Sequence, residues 1–195
     1  MTEASIPPAG PAAEPAVRAA PLPILRFGDP RLERVCAPVP RDADPAILAA
    51  RAEAMLATIH GFRARHGWGR AIAAPQVGIL SRMVALAIDG VETILLDPEI
   101  VWRSPEVDEL WDDCMSLPEI AVRVPRHRSV SVRYRDLSGR EAAFERAAPD
   151  LSELLQHEID HLDGVLMTRR MRPGTPIVAR ENRALALPPS SPAEE

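Results

Sequence analysis

Gln156-His157-Glu158-Ile159-Asp160-His161-Leu162-Asp163-Gly164 is the stretch on which the fold and the chemistry of this chain turn. Read as a helix, it places His157 and His161 one turn apart on one face, with Glu158 beside them. Two imidazoles so spaced can grip one metal ion, and the neighbouring carboxylate is placed to take a proton from a metal-bound water. The helix has its own start and stop signals. Asp150 followed by Glu153 predicts a capping box, and Gly164 can supply the left-handed terminus. Five histidines occur in the whole chain, and two of them fall here with the glutamate in register.

Working outward, 195 residues suit one domain with a sizeable core, and 46% hydrophobic with 26% charged residues is ordinary for a globular protein. The net charge is −5, all 23 basic residues are arginine, and no basic block appears, so nothing suggests nucleic acid or an anionic membrane as partner. No apolar run approaches the roughly 20 residues needed to cross a bilayer. Two cysteines, Cys36 and Cys114, are too few for a disulfide scaffold, and no secretory signal opens the chain, which predicts a reducing cytoplasm.

Residues 1–22 form a Pro/Ala-rich stretch expected to be a disordered tail, residues 23–172 a single catalytic domain, and residues 173–195 a mostly disordered polar, Pro-rich tail. Asp44-Pro45 predicts a helix start, with Leu48, Ala52, Met55, Ile59 and Phe62 on its buried face. His60 and His66 near its end are expected to be solvated. Gly67 to Gly78 is small-residue-rich and reads as a tight loop between helix and sheet. Met83 to Ile88 and Thr93 to Leu96 flank Asp89-Gly90 as a hairpin, and Ser129 to Tyr134 with Glu141 to Glu145 make a second. Val165 to Met167 is expected to be a last short strand, Cys36 is a small buried residue, and the class is α+β.

A catalytic zinc-like site usually takes three protein ligands and keeps one position for water. The third could be Glu181, twenty residues after His161, or the thiol of Cys114. With Glu181 the chain would be a zinc peptidase.

Three stretches, Gly69 to Gln76, Asp112 to Ser116 and Gln156 to Leu162, together resemble in content and order the three signature segments of the peptide deformylase family. Ile24 to Val39 resembles the family's opening, and the likeness runs to about Thr168. The resemblance implies antiparallel sheets packed around a central metal-binding helix. It implies Cys114, His157 and His161 as metal ligands, and ferrous iron as the ion, with zinc, nickel or cobalt able to occupy the site. An iron–thiolate centre would be sensitive to oxygen and peroxide.

The implied activity removes the N-formyl group from the formyl-methionine end of newly made peptides in a bacterial cytoplasm and releases formate. Glu158 would take the proton of the attacking water and pass it to the departing amine, while the Gln76 side chain and the Met115 backbone N–H stabilise the oxyanion. Substrate peptides, including nascent chains at the ribosome, are the implied partners. Arg126 is expected to pair with Asp112, and Asp160 to hold the helix or a ligand in place.

Several positions depart from the family pattern. Ala71 replaces a glycine, Asp112-Asp113 replaces Glu-Gly, and Met115 replaces leucine. Ungapped matching puts Arg70, Asp150 and Glu153, beside Leu110 and Leu154, in the pocket for the first side chain, where the family is usually apolar. Three charged groups there should not favour methionine, because each would lose solvation unless paired. The alternative is a deformylase-like metal protein with another amide substrate, or one that binds a peptide or partner without catalysis.

Overall fold

A computed structural model describes residues 19–185. Most of the stretch expected to be an N-terminal tail lies outside them, as do the last ten residues of the chain. Leu22 is held in place, its N–H donating to Thr58 Oγ1 at 2.8 Å.

The first long element is α1, Pro45–His66. Asp44 caps it by accepting the Ala46 N–H, Pro45 takes the first turn where no N–H is needed, and Gly67 ends it at φ +76°. His60 lies 2.6 Å from Glu92 at the surface, and His66 stacks on Phe62.

The glycine-bearing loop that follows holds regular structure after all. Ala71–Ala73 forms β1 and Ala74–Val77 a 3-10 turn. β1 pairs with β2 (Met83–Ile88), which turns at Asp89-Gly90 into β3 (Val91–Arg103). β6 (Val130–Arg135) and β7 (Glu141–Phe144) complete a five-stranded antiparallel sheet in the order β1-β2-β3-β6-β7. A second sheet is built on the hairpin of β4 (Val107–Cys114) and β5 (Leu117–His127).

β2 shows why both faces of the first sheet are covered. Met83, Ala85 and Ala87 pack into a cluster with Leu48, Met55, Ile59 and Phe62 of α1. Val84 and Leu86 point the other way, toward Leu154, Leu155, Ile159 and Leu162 of α2 (Pro149–Leu162). With period-two alternation, an unbroken apolar strand must be buried on both sides.

α2 starts two residues earlier than the expected capping box. Ala148 is its cap residue, no side chain caps it, and Asp150 lies within the first turn, because Pro149 already satisfies the first helical position. Ser152 Oγ anchors this end, donating to the Ala147 carbonyl and accepting the Val130 N–H. Gln156 pins the helix to the end of β5, accepting the His127 N–H at 2.9 Å and donating to the His127 carbonyl at 2.8 Å. The helix therefore bridges the two sheets.

Gly164 follows at φ +70°, and a Cβ there would lie 2.6 Å from the Glu33 carbonyl oxygen. Both the backbone angle and the contact exclude a side chain. Gly164→Ala is expected to destabilise the fold by about 2–3 kcal/mol, measured by urea unfolding.

Two expectations fail after the helix. Val165 to Met167 is not a strand; Met167–Arg170 forms the short helix α3, since Val165 N–H bonds back to Asp160 and turns the chain. The segment from 173 is not uniformly loose either. Ile177–Ala179 forms β8, which pairs with Ile120–Val122 of β5, and Arg180–Asn182 forms a 3-10 turn. Three apolar or small residues suffice because β5 offers an open edge. The second sheet has the order β4-β5-β8. No helix among the described residues is long and apolar enough to cross a membrane. Cys36 is buried, and burial pushes its thiol up to about 11.

Candidate metal centre

Cys114 ends β4 at the tip of a tight hairpin, with Leu117 as its partner across the turn. The tip points at the buried face of α2, so Cys114, His157 and His161 meet with their ligand atoms within 4.8 Å of one another. Cys114 Sγ lies 3.2 Å from His161 Nε2. All three side chains are buried. Glu181 does not join them; it is exposed on the 3-10 turn after β8.

The donor set suits a divalent ion. One sulfur and two imidazole nitrogens converge from a strand and a helix, and a thiolate offsets the charge of the ion while leaving a position for water. Asp112 Oδ1 lies 2.7 Å from His157 Nδ1, which leaves Nε2 of that ring for the ion. Burial works against charge on His157, but the Asp112 carboxylate outweighs it and raises the imidazole well above its ordinary value. A carboxylate partner of this kind increases the basicity of a ligating ring. For His161, burial and then the charge of His157 hold the pKa well below the ordinary value. Both rings must be neutral to ligate, so an ion bound here would displace any proton from them.

Behind the ligands runs a buried ionic chain. Arg126 is only 3% exposed and bridges Asp112 Oδ2 at 2.7 Å and Asp160 Oδ2 at 2.5 Å. Burial alone would raise the Asp112 carboxyl, yet His157 and Arg126 hold it well below the usual carboxylate range. Asp160 touches neither imidazole; it grips Arg126 on one side and Arg170 of α3 on the other, with Arg170 Nε 3.0 Å away. Nothing in the sequence near Arg170 marks it for this contact. Asp112→Asn keeps the shape but weakens the partner of His157. Metal affinity is expected to fall about 10- to 100-fold, read by competition with a chelating dye.

Glu158 lies beside the ligands, and its Oε2 is buried without a hydrogen-bond partner among the described residues. Burial pushes its carboxyl up to about 7, with Glu153 and Asp112 adding to the shift against the charge of His157. Such a group can take or give a proton near neutrality. Gln76 closes the opposite side. Its Oε1 accepts the Ala73 N–H at 2.8 Å, which directs Nε2 toward Ser116 Oγ at 3.3 Å and Cys114 Sγ at 3.5 Å. The amide is thus oriented by its own 3-10 turn.

These groups open into a cavity of about 520 Å³ that Gln76, Met115, His157 and Glu158 help to line. Arg70, Ala71, Asp150, Glu153 and Leu154 are all on its wall. Leu110 does not line it; it lies four residues before Cys114 on β4, opposite Val124. Arg70 Nη2 and Glu153 Oε2 are 3.0 Å apart, an ion pair 43% and 17% exposed. Burial raises the Glu153 carboxyl, and the nearby Asp112 adds to it. Trp68, Arg63, Arg180 and Arg183 also line the cavity, and no motif in the sequence singled them out.

The family model described as polypeptide deformylase matches residues 21–176. A peptide deformylase of Roseiflexus castenholzii is 38% identical over 169 residues, covering 76% of this chain and 88% of that protein. One from Thermotoga neapolitana is 36% identical over 155 residues, covering 80% and 90%. Among solved structures, the crystal structure of peptide deformylase from Thermotoga maritima superposes with a TM-score of 0.70 at 32% identity, over 78% of this chain and 99% of that one. A peptide deformylase from Synechococcus elongatus in complex with actinonin gives 0.71 at 27% identity, over 86% and 88%. With more than half its length inside that match, and with its α+β fold shared with those structures, this chain belongs to the polypeptide deformylase family.

Proposed function

We propose that this protein is a divalent-metal-dependent hydrolase that removes the formyl group from the N-terminal residue of peptides and releases formate. The observation that carries this is the meeting of Cys114, His157 and His161 within 4.8 Å, with the buried, unpartnered Glu158 carboxyl beside them in an open cavity. A divalent ion held by these residues would polarise the formyl carbonyl and acidify a water.

The chain's own groups supply the rest. Glu158 takes the proton as water adds to the formyl carbon, and it returns that proton to the nitrogen as the C–N bond breaks. Gln76 Nε2, fixed through its Oε1, donates to the oxygen on which charge develops, and the Met115 backbone N–H is the second donor. His157 is kept in one tautomer by Asp112, and Asp112 by Arg126.

The proposed ion is ferrous iron, with zinc, nickel and cobalt as substitutes that the same donors accept. N-formylated peptides, including nascent chains, are the proposed partners, and a reducing cytoplasm keeps the Cys114 thiolate available. The Arg70–Glu153 pair stands on the wall where a first side chain would lodge, and an apolar side chain would strip water from it. Replacing the pair with Arg70→Ile and Glu153→Leu is expected to lower KM for formyl-methionyl peptides about tenfold.

The test is anaerobic reconstitution with ferrous iron followed by formate release from formyl-Met-Ala-Ser. Release that requires both metal and Glu158 establishes the function. Stoichiometric metal with no release from any N-formyl peptide would refute it.

A further inference from the structure

Part of the cavity wall comes from the turn that follows β8, beyond residue 176, where the family match ends. This segment brings Arg180 and Arg183 to the cavity. Both meet one atom: Arg180 Nε is 2.9 Å and Arg183 Nη1 2.6 Å from Asp113 Oδ2. The Arg180 guanidinium also lies 3.9 Å over the Trp68 ring, which fixes its plane beside the opening.

Two guanidinium groups sharing one carboxylate carry an unbalanced positive charge. Each has five N–H donors, and among the described residues each spends one, on Asp113. Arg63 adds a third guanidinium to the lining, donating to the Gly69 and Ala87 carbonyls and entering no ion pair among the described residues. The other acidic groups of the lining arrive from elsewhere, Asp89 from the turn between β2 and β3 and Asp150, Glu153 and Glu158 from α2, with Arg70 against Glu153. Asp113 immediately precedes Cys114, so the cationic group sits beside the metal centre and not at a remote surface.

We propose that Arg180 and Arg183 bind a carboxylate that the substrate carries beyond its formylated residue. The preferred substrates are then short N-formyl peptides bearing that anion at the chain end or on an acidic side chain. A planar guanidinium suits the two oxygens of a carboxylate, and stacking on Trp68 leaves the donor edge of Arg180 open. The inference rests on the deformylase reading of the same site.

The experiment uses the full chain loaded with ferrous iron and measures formate release at low salt. Formyl-Met-Ala-Ser is compared with its C-terminal amide, and formyl-Met-Ala-Asp-amide with formyl-Met-Ala-Asn-amide. The carboxylate-bearing member of at least one pair is expected to show a KM about three- to fivefold lower with kcat unchanged, a gap that closes as salt is raised. A gap in the first pair alone assigns the chain end, and in the second alone the side chain. Arg183→Gln should abolish the gap and Arg183→Lys retain part of it. Equal KM values within both pairs would overturn the inference while leaving deformylation intact, as would an Arg183→Gln effect equal on acid and amide. No formate from any peptide would overturn the deformylase reading and this inference with it.

Discussion

Glu158→Ala is expected to lower kcat for formate release by about 10³-fold while leaving the bound metal and the folded structure in place. The carboxyl is buried and Oε2 has no partner among the described residues, so its removal forfeits no hydrogen bond from that oxygen. What it forfeits is a cavity-lining carboxyl next to His157 in sequence that enters no ion pair among the described residues. Metal content by elemental analysis and the unfolding midpoint, measured with the rate, separate loss of the base from loss of the site. A matching loss of metal would reassign Glu158 to holding the ion.

The second large effect is structural. Arg126→Leu is expected to cost about 3–5 kcal/mol, since it leaves the Asp112 and Asp160 carboxylates facing one another in the interior without the guanidinium between them. For a chain of this size that is a fall in Tm on the order of 10 °C. Arg126→Lys keeps the charge but loses the fork that reaches both carboxylates, so it should recover only part of the stability. The loss should reach the metal centre as well, because Asp112 then has no buried cation to keep it against His157. A variant as stable as the native chain would show that the two carboxylates are satisfied by other means.

The helix from Pro149 to Leu162 and the pairing of its two histidines could be read from sequence because spacing on a helix is local: residues four apart share a face whatever surrounds them. The hairpins around Asp89-Gly90 and Ser138-Gly139 were legible for the same reason, a turn between alternating apolar runs. β4 was not. Asp108, Glu109, Asp112 and Asp113 interrupt its pattern, and the inward-facing Asp112 is explained only by Arg126 and His157, fourteen and forty-five residues away. The likeness to the family, not periodicity, pointed to Cys114.

Charge at the cavity wall was legible, but its pairing was not. Arg70 and Glu153 are separated by 83 residues, and only the fold brings them to 3.0 Å. Arg180 and Arg183 read as part of a tail because Pro173 and Pro176 break any pattern around them, and a three-residue strand gives almost no signal before its partner edge is known.

The claim on which the rest depends is that a thiolate, not a carboxylate, completes the metal centre. X-ray absorption at the zinc edge of the zinc-loaded protein tests it most directly. The account predicts one sulfur at about 2.3 Å with the remaining ligands nitrogen or oxygen at about 2.0–2.1 Å, and loss of that sulfur in Cys114→Ala. A first shell of nitrogen and oxygen alone in the native protein would contradict it.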